Sequence, residues 1–205
     1  MTKNRLETIC DGVFAIVITL LILDVKLPSS LNIANSQDLL NSLLHLRPKI
    51  FAFAASFFII SSFLSGHHFI LSLVKKIDGV FLWVNLFYLM IITFIPFPTS
   101  ILAEYNANFT ALVFYTINVI FAGLFHSIML WRIYKKDDLR AETVSKVNAK
   151  KYFKTSFLGT ISGIIAIPIG LVNINLGISI LILVPLYFVF DRIRNESMTL
   201  KKSKH

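Results

Sequence analysis

The chain has 205 residues, of which 56% are apolar and only 15% are charged, and its formal net charge is +9. Soluble domains are about 45–50% apolar and about 25% charged, so this composition favours a protein that crosses a membrane several times. The positive charges stand in short clusters between apolar runs, which favours membrane topology over nucleic-acid binding. The single cysteine, Cys10, excludes an intrachain disulfide and a CxxC motif.

Six apolar runs are long enough to be predicted as membrane-spanning helices. We therefore expect an all-α polytopic membrane protein with a single six-helix transmembrane domain over residues 1–205. All but three of the 20 lysines and arginines lie at the N-terminus, at the links after the second and fourth runs, or in the tail. The positive-inside rule then predicts that both termini are cytoplasmic. The predicted spans are residues 6–27, 49–74, 80–102, 109–134, 152–171 and 174–192.

The first run differs from a simple membrane anchor because it lies between two carboxylates. Asp11 precedes and Asp24 follows a mostly apolar stretch from Gly12 to Leu23. That stretch covers only about 18 Å of helix at about 1.5 Å per residue, whereas a bilayer core needs about 20 residues. A carboxylate must therefore lie near or inside the bilayer, where it must face protein or water. We predict that this first helix lines such a space.

A stripe of large apolar side chains follows one face of the first helix. Ile16, Leu20 and Leu23 stand at positions i, i+4 and i+7, and Thr19 lies on or beside the same face. Such a stripe most often packs against a neighbouring helix. If copies of the helix instead surround an axis, the stripe forms apolar rings that gate by size and dewetting, with a ring of hydroxyls that replaces part of an ion's water shell. The spacing alone leaves both alternatives open.

Polar residues cluster near the cytoplasmic ends of the first three predicted spans. His67 and His68 are adjacent, so their side chains point about 100° apart on a helix and do not chelate one metal ion in the usual manner. Buried polar groups in a membrane need partners, so we predict a network that fixes the first helix against the next two. The residues of this predicted motif network are Arg5, Asp11, His67, His68, Asp78, Trp83 and Asn85.

Other motifs restrict the chemistry and the shape of the chain. The sequence contains no nucleophile–base pair, nucleotide-binding glycine loop or TVGYG filter, so we expect neither an enzyme nor a bound cofactor. Pro96 and Pro98 predict a break or kink in the third span. The charged link 135–151 is predicted to extend a helix. The spacing of Gly159 and Gly163 favours close helix packing.

Two segments resemble one known family. The first helix, with Arg5 and Asp11, resembles the Arg-x-x-x-Phe-Ser-Asp signature of the endosomal and lysosomal potassium channel family (transmembrane protein 175 family), in its short prokaryotic branch. Ile9 and Cys10 stand where the family has Phe and Ser. The run HHFILSLVKKIDGVFLWVNLFYLMIITFIPFPT, residues 67–99, resembles the family's second and third helices. The likeness is strong over the first half of the chain and is one of layout over the second.

The resemblance implies a homotetramer in the plasma membrane of a prokaryote, with six spans per subunit and the first helices lining a pore. By position it implies a hydrophobic pore constriction at Ile16, Leu20 and Leu23, and a selectivity residue at Thr19. The implied partners are further copies of the chain, the lipid bilayer and permeating potassium ions, with no nucleic acid and no metal site beyond those ions. We therefore expect a potassium-permeable cation channel.

The alternative function is a proton-coupled secondary transporter. It would use Asp11 as a proton-binding carboxylate within the membrane, together with His67 or His68. Steep pH-coupled uptake with saturable kinetics distinguishes such a carrier from a channel.

Overall fold

The computed structural model describes residues 1–27, 35–105 and 108–187. Within these ranges the regular structure is helical, apart from one isolated antiparallel bridge between Val74 and Arg140, which confirms the all-α prediction. The helices are α1 (Lys3–Leu20), α2 (Ser36–His45), α3 (Arg47–Ser72), α4 (Gly79–Phe94), α5 (Pro96–Glu104), α6 (Phe109–Lys135), α7 (Lys146–Val172) and α8 (Ile174–Tyr187).

Five stretches of the described chain are long and apolar enough to cross a membrane. They correspond in order to the first five predicted spans, and α7 begins earlier than predicted, at Lys146. The third stretch, Gly79–Glu104, combines α4 and α5. The sixth predicted span begins with α8, but its last residues, 188–192, lie outside the described ranges. The six-span count therefore stays a prediction.

Polar residues immediately before the apolar runs determine where several helices begin. The carboxylate of Asp78 accepts a hydrogen bond from the Phe81 amide at 2.7 Å at the start of α4. Asn108 caps α6 in the same way, and the Ser145 hydroxyl accepts from a first-turn amide of α7. Each cap satisfies an amide that has no partner within its own helix, and a cap of this kind contributes about 1 kcal/mol.

Two interruptions divide the apolar runs. α1 ends at Leu20, and the chain continues as a 3-10 helix over Leu21–Asp24 rather than as α-helix to residue 27. α4 ends at Phe94 and α5 begins at Pro96, as the prolines predict. Proline has no amide hydrogen, so Pro96 fits the first turn of a new helix, where that hydrogen would have no partner, better than the interior of a continuous one.

One face of α1 packs into the core between α3 and α4. The ring of Phe14 lies 5.9 Å from the ring of His67 on α3 and 6.2 Å from the ring of Tyr88 on α4. The rings of His67 and Tyr88 stack at 5.5 Å. The side chains that α1 and its 3-10 extension bury are Leu6, Cys10, Phe14, Val17 and Leu21.

The charged link 135–151 is only partly the helical extension that its composition predicted, because α7 begins at Lys146 but the residues between α6 and α7 are not α-helical. α6 ends at Lys135, and the link pairs with the end of α3 through two backbone hydrogen bonds of 2.8 Å, from the Lys75 amide to Leu139 and from the Ala141 amide to Leu73. Leu139 is 1% exposed, so this pairing also inserts an apolar side chain into the core. The prediction failed for residues 136–145 because this pairing is non-local, whereas helix propensity is a local quantity.

The predicted small-residue packing holds for one of the two glycines of α7. A Cβ atom placed on Gly163 would come within 2.7 Å of Cγ1 of Ile120 on α6, so that glycine allows the two helices to approach closely. A Cβ atom on Gly159 would meet nothing within 4 Å. Only Gly163 therefore carries the packing that the spacing predicted.

This difference gives a matched pair of substitutions. Gly163→Ala is expected to lower the free energy of unfolding by up to about 2 kcal/mol, because overpacking costs about 1–3 kcal/mol and alanine's helix propensity offsets about 1. Gly159→Ala is expected to leave the free energy of unfolding unchanged or to raise it. Denaturant titration in detergent micelles measures both variants. Equal effects at the two positions would show that close packing is not the reason for Gly163.

Candidate functional site

The predicted stripe of α1 lies on the face opposite its buried residues. Ile16 is 60% exposed, Leu20 is 42% exposed and Leu23 is 63% exposed, and Thr19 is exposed beside them. These side chains are therefore not part of the core of their own chain. In a membrane protein this face must meet lipid, water or another copy of the chain.

The hydroxyl of Thr19 has a defined orientation. It donates a hydrogen bond to the backbone carbonyl oxygen of Ile16, one turn earlier in α1, at 2.8 Å. Because the hydrogen points back to the helix, the lone pairs of the oxygen remain available on the exposed face. The side chain therefore presents an acceptor, which is the group that a cation requires.

A buried hydrogen-bonded chain joins α1, α3 and α4. His67 and Asn85 are both fully buried, and Nε2 of His67 lies 2.6 Å from Oδ1 of Asn85. The amide group of Asn85 donates in turn to the sulfur of Cys10 at 3.4 Å. An amide oxygen only accepts, so the histidine carries its hydrogen on Nε2. This places Cys10 inside the network, at the position where the resembling family has serine.

His68 makes a separate connection on the surface of the same helices. Its Nε2 atom lies 2.8 Å from Oδ1 of Asp11, and both side chains are about half exposed. The sequence left open which of the two adjacent histidines joins the first helix. In the structure both histidines make a hydrogen bond. Because their side chains leave α3 in different directions, His67 bonds to Asn85 of α4 and His68 bonds to Asp11 of α1.

Asp78 lies in a different cluster from the one that was predicted. Besides capping α4, its carboxylate binds Arg132 of α6 at 2.5 Å and lies 3.5 Å from the ammonium group of Lys136. Partial burial acts to raise the pKa of Asp78, but the hydrogen bonds from Arg132 and the Phe81 amide, with the charges of Arg132 and Lys136, outweigh it and lower the pKa.

The predicted motif network is therefore divided. The structure brings Asp11, His67, His68 and Asn85 together with α1, and it places Asp78 with α6 instead. Arg5 lies exposed on α1, and Trp83 is 63% exposed on α4 with its ring 6.2 Å from that of Phe87.

Sequence reasoning missed two partners in these clusters. Arg132 stands 54 positions after Asp78, so no local spacing connects them. Cys10 is noted in the sequence only as a change from the family serine, although its thiol accepts from Asn85. The sequence did offer one signal for this pair. Arg132 is a basic residue in the last turn of one apolar helix, and Asp78 is a carboxylate immediately before the start of another.

The polar clusters of the described residues position helices and are not arranged to hold a metal ion. Over the described ranges, no group of three or more His, Cys, Asp or Glu residues is placed to hold a metal ion. The polar clusters instead tie α1 to α3 and α4 and leave its apolar, threonine-containing face free. Such an arrangement holds a helix rigidly while it presents one face to other molecules.

Comparison with known proteins agrees with this architecture. A family model described as "Endosomal/lysosomal potassium channel TMEM175" matches residues 5–96. A potassium channel of Chamaesiphon minutus is 34% identical over 191 residues, which cover 90% of this chain and 92% of that protein. A potassium channel of Streptomyces collinus is 29% identical over 195 residues, which cover 93% of each protein.

A solved structure extends the likeness to the fold. The crystal structure of a lysosomal potassium-selective channel TMEM175 homologue from Chamaesiphon minutus matches with a TM-score of 0.81 and 29% sequence identity. The match covers 92% of this chain and 97% of that one. This chain, a multi-pass membrane protein, belongs to the endosomal/lysosomal potassium channel TMEM175 family.

Proposed function

We propose that the chain forms a potassium-permeable cation channel whose pore is lined by α1. The observation that carries the proposal is the exposed stripe of Ile16, Leu20 and Leu23 on a helix whose opposite face is fixed in the core. Large apolar side chains exposed on a membrane helix meet either lipid or another copy of the chain, and membership in a potassium channel family favours further copies of α1.

In this proposal four subunits surround the pore, and both termini lie in the cytoplasm of a prokaryotic cell whose plasma membrane holds the channel. Ile16, Leu20 and Leu23 form rings that constrict the pore and gate it by size and dewetting. The chain needs no cofactor and catalyses no reaction, and potassium ions are its cargo.

Thr19 supplies the polar ring within the constriction. Its oxygen offers lone pairs on the exposed face because its hydrogen is donated to Ile16. Four such oxygens would replace part of the hydration shell of a potassium ion at the narrowest level. The buried bonds of Cys10 and the surface bond of Asp11 hold α1 in register, so that the rings keep their size.

Ion flux into liposomes that contain the purified protein tests the proposal. We expect potassium flux that grows with the gradient without saturating and that exceeds sodium flux. Thr19→Val, which removes the hydroxyl at constant volume, is expected to reduce the potassium-to-sodium ratio while flux persists.

The same flux assay also tests the alternative function, a secondary transporter. Flux that saturates, or that occurs only with a proton gradient, would support the secondary transporter that uses Asp11 and His67 or His68. The names of the two relatives described above do not favour that carrier, since both are potassium channels.

A further inference from the structure

One face of α7 changes from basic to apolar along its length. At about 100° per residue, nine exposed side chains of this helix fall within an arc of about 100°. The face begins with Val147, continues with three lysines and is apolar from Leu158 onward, where the next two apolar side chains after it are, like Leu158, 44–48% exposed. Its members are Val147, Lys150, Lys151, Lys154, Leu158, Ile161, Ile165, Pro168 and Val172.

The length of α7 places the lysines of this face at the edge of the bilayer. The helix has 27 residues and is about 40 Å long, whereas the hydrocarbon core is about 30 Å thick. From Lys154 to the end of the helix at Val172 the distance is about 27 Å. Lys154 therefore lies at the hydrocarbon boundary, and Lys150 and Lys151 lie about one turn further out, at the level of lipid headgroups.

The opposite side of the same two turns is fixed to the protein. Tyr152 packs edge-on against Phe69 of α3 with ring centroids 4.9 Å apart, and Phe153 stacks on Tyr134 of α6 at 6.4 Å. Ala149 is 1% exposed. These contacts turn the three lysines away from the subunit and hold their backbone in place.

The charges of the three lysines are uncompensated within the described chain. In residues 1–27, 35–105 and 108–187, no carboxylate lies within 4.0 Å of Lys150, Lys151 or Lys154. The first turn of α7 contains no acidic residue, and cations near a helix N-terminus also oppose the helix dipole. Nearby Lys146 differs, because Asp137 lies close enough that, after the hydrogen bond and charge of Arg140, the charge of Lys146 also lowers the pKa of Asp137.

We propose that this basic end of α7 binds the headgroups of anionic phospholipids from the adjoining leaflet. Two features favour a lipid over other anions. The lysines complement a negative headgroup, and their face continues directly into the exposed apolar side chains of Leu158 and Ile161, which fit the acyl chains of the same molecule. The proposal does not depend on ion conduction, because it concerns the outer side of the subunit rather than α1.

Native mass spectrometry of the purified full chain in detergent tests this site. The probes are phosphatidylglycerol and phosphatidylcholine with identical acyl chains. We expect bound phosphatidylglycerol in preference to phosphatidylcholine. Lys150→Gln with Lys154→Gln is expected to weaken phosphatidylglycerol binding about 30-fold, which corresponds to about 1 kcal/mol per lysine at 1.4 kcal/mol per tenfold.

Two further double variants control for charge and folding. Lys75→Gln with Lys76→Gln removes the same charge from the link between α3 and α4 and is expected to keep the wild-type affinity. Lys150→Arg with Lys154→Arg preserves the charge and is also expected to keep it.

Several results would overturn the proposal. These are equal binding of the two lipids, equal losses in the α7 and control variants, or displacement of the lipid by free glycerol phosphate at equal concentration. A change of oligomeric state in the glutamine variant, without loss of lipid, would assign the face to a contact between copies of the chain instead.

Discussion

Ile16→Ala is expected to raise the single-channel potassium conductance about tenfold, a change that corresponds to about 1.4 kcal/mol in the barrier to permeation. Ile16 is 60% exposed on α1, so the substitution removes no packing from the core of its own subunit. In an assembly of α1 helices it widens one apolar ring and makes the constriction easier to wet. Recordings from purified protein in planar bilayers measure the conductance directly.

The matched control is Ile22, which lies on the 3-10 extension of α1 with its side chain outside the stripe. Ile22 is 50% exposed and stands about 120° around the helix axis from Ile16, outside the stripe. Ile22→Ala deletes the same atoms and is expected to leave conductance unchanged. If both variants raised conductance equally, or if Ile16→Ala had no effect, the stripe would not line the pore.

The sequence was sufficient to predict the first five membrane spans and which side chains of α1 share a face. Runs of about 20 apolar residues have few alternatives to a membrane helix, and a 3.6-residue period reports which side chains share a face. Ile16, Leu20 and Leu23 share one face as predicted, although Leu23 stands in a 3-10 turn. Only the exposure of that face, which depends on the other helices, required the structure.

Non-local pairing accounts for what the sequence did not predict. The spacing of His67 and His68 showed that they diverge, but the partner of each depends on how α1 and α4 pack on α3. The link that contains Leu139 reads as helix from composition, yet it pairs with the end of α3. The predicted network also grouped Asp78 with the residues around α1, whereas in the structure Asp78 forms an ion pair with Arg132 of α6.

Asp78→Asn is therefore expected to lower the free energy of unfolding by about 2 kcal/mol at neutral pH. The side chains of Asp78 and Arg132 are 25% and 15% exposed. Breaking a fully buried ion pair costs about 3–5 kcal/mol and an exposed pair contributes about 0–1, so an intermediate value applies. Asparagine caps helices as well as aspartate does, so the α4 cap survives and the loss isolates the charge.

Two other variants separate the contributions. Asp78→Ala also removes the cap from the Phe81 amide and is expected to cost about 1 kcal/mol more than Asp78→Asn. Asp137→Asn removes a carboxylate that pairs with Arg140 on the exposed surface, and it is expected to have no measurable effect. A loss at Asp137 as large as that at Asp78 would show that net charge, rather than the α4–α6 connection, determines stability.

The pH dependence of the Asp78→Asn effect provides an independent check. Because the pKa of Asp78 is lower in the folded than in the unfolded protein, its ionised form stabilises the fold above the unfolded value of about 3.9. That contribution is lost as the pH falls through the lower, folded pKa. Wild type and Asp78→Asn should therefore differ in unfolding free energy at pH 7 and converge in acid below about pH 4. A difference that persists unchanged in acid would mean that the asparagine acts through altered packing at the start of α4 and not through the lost charge.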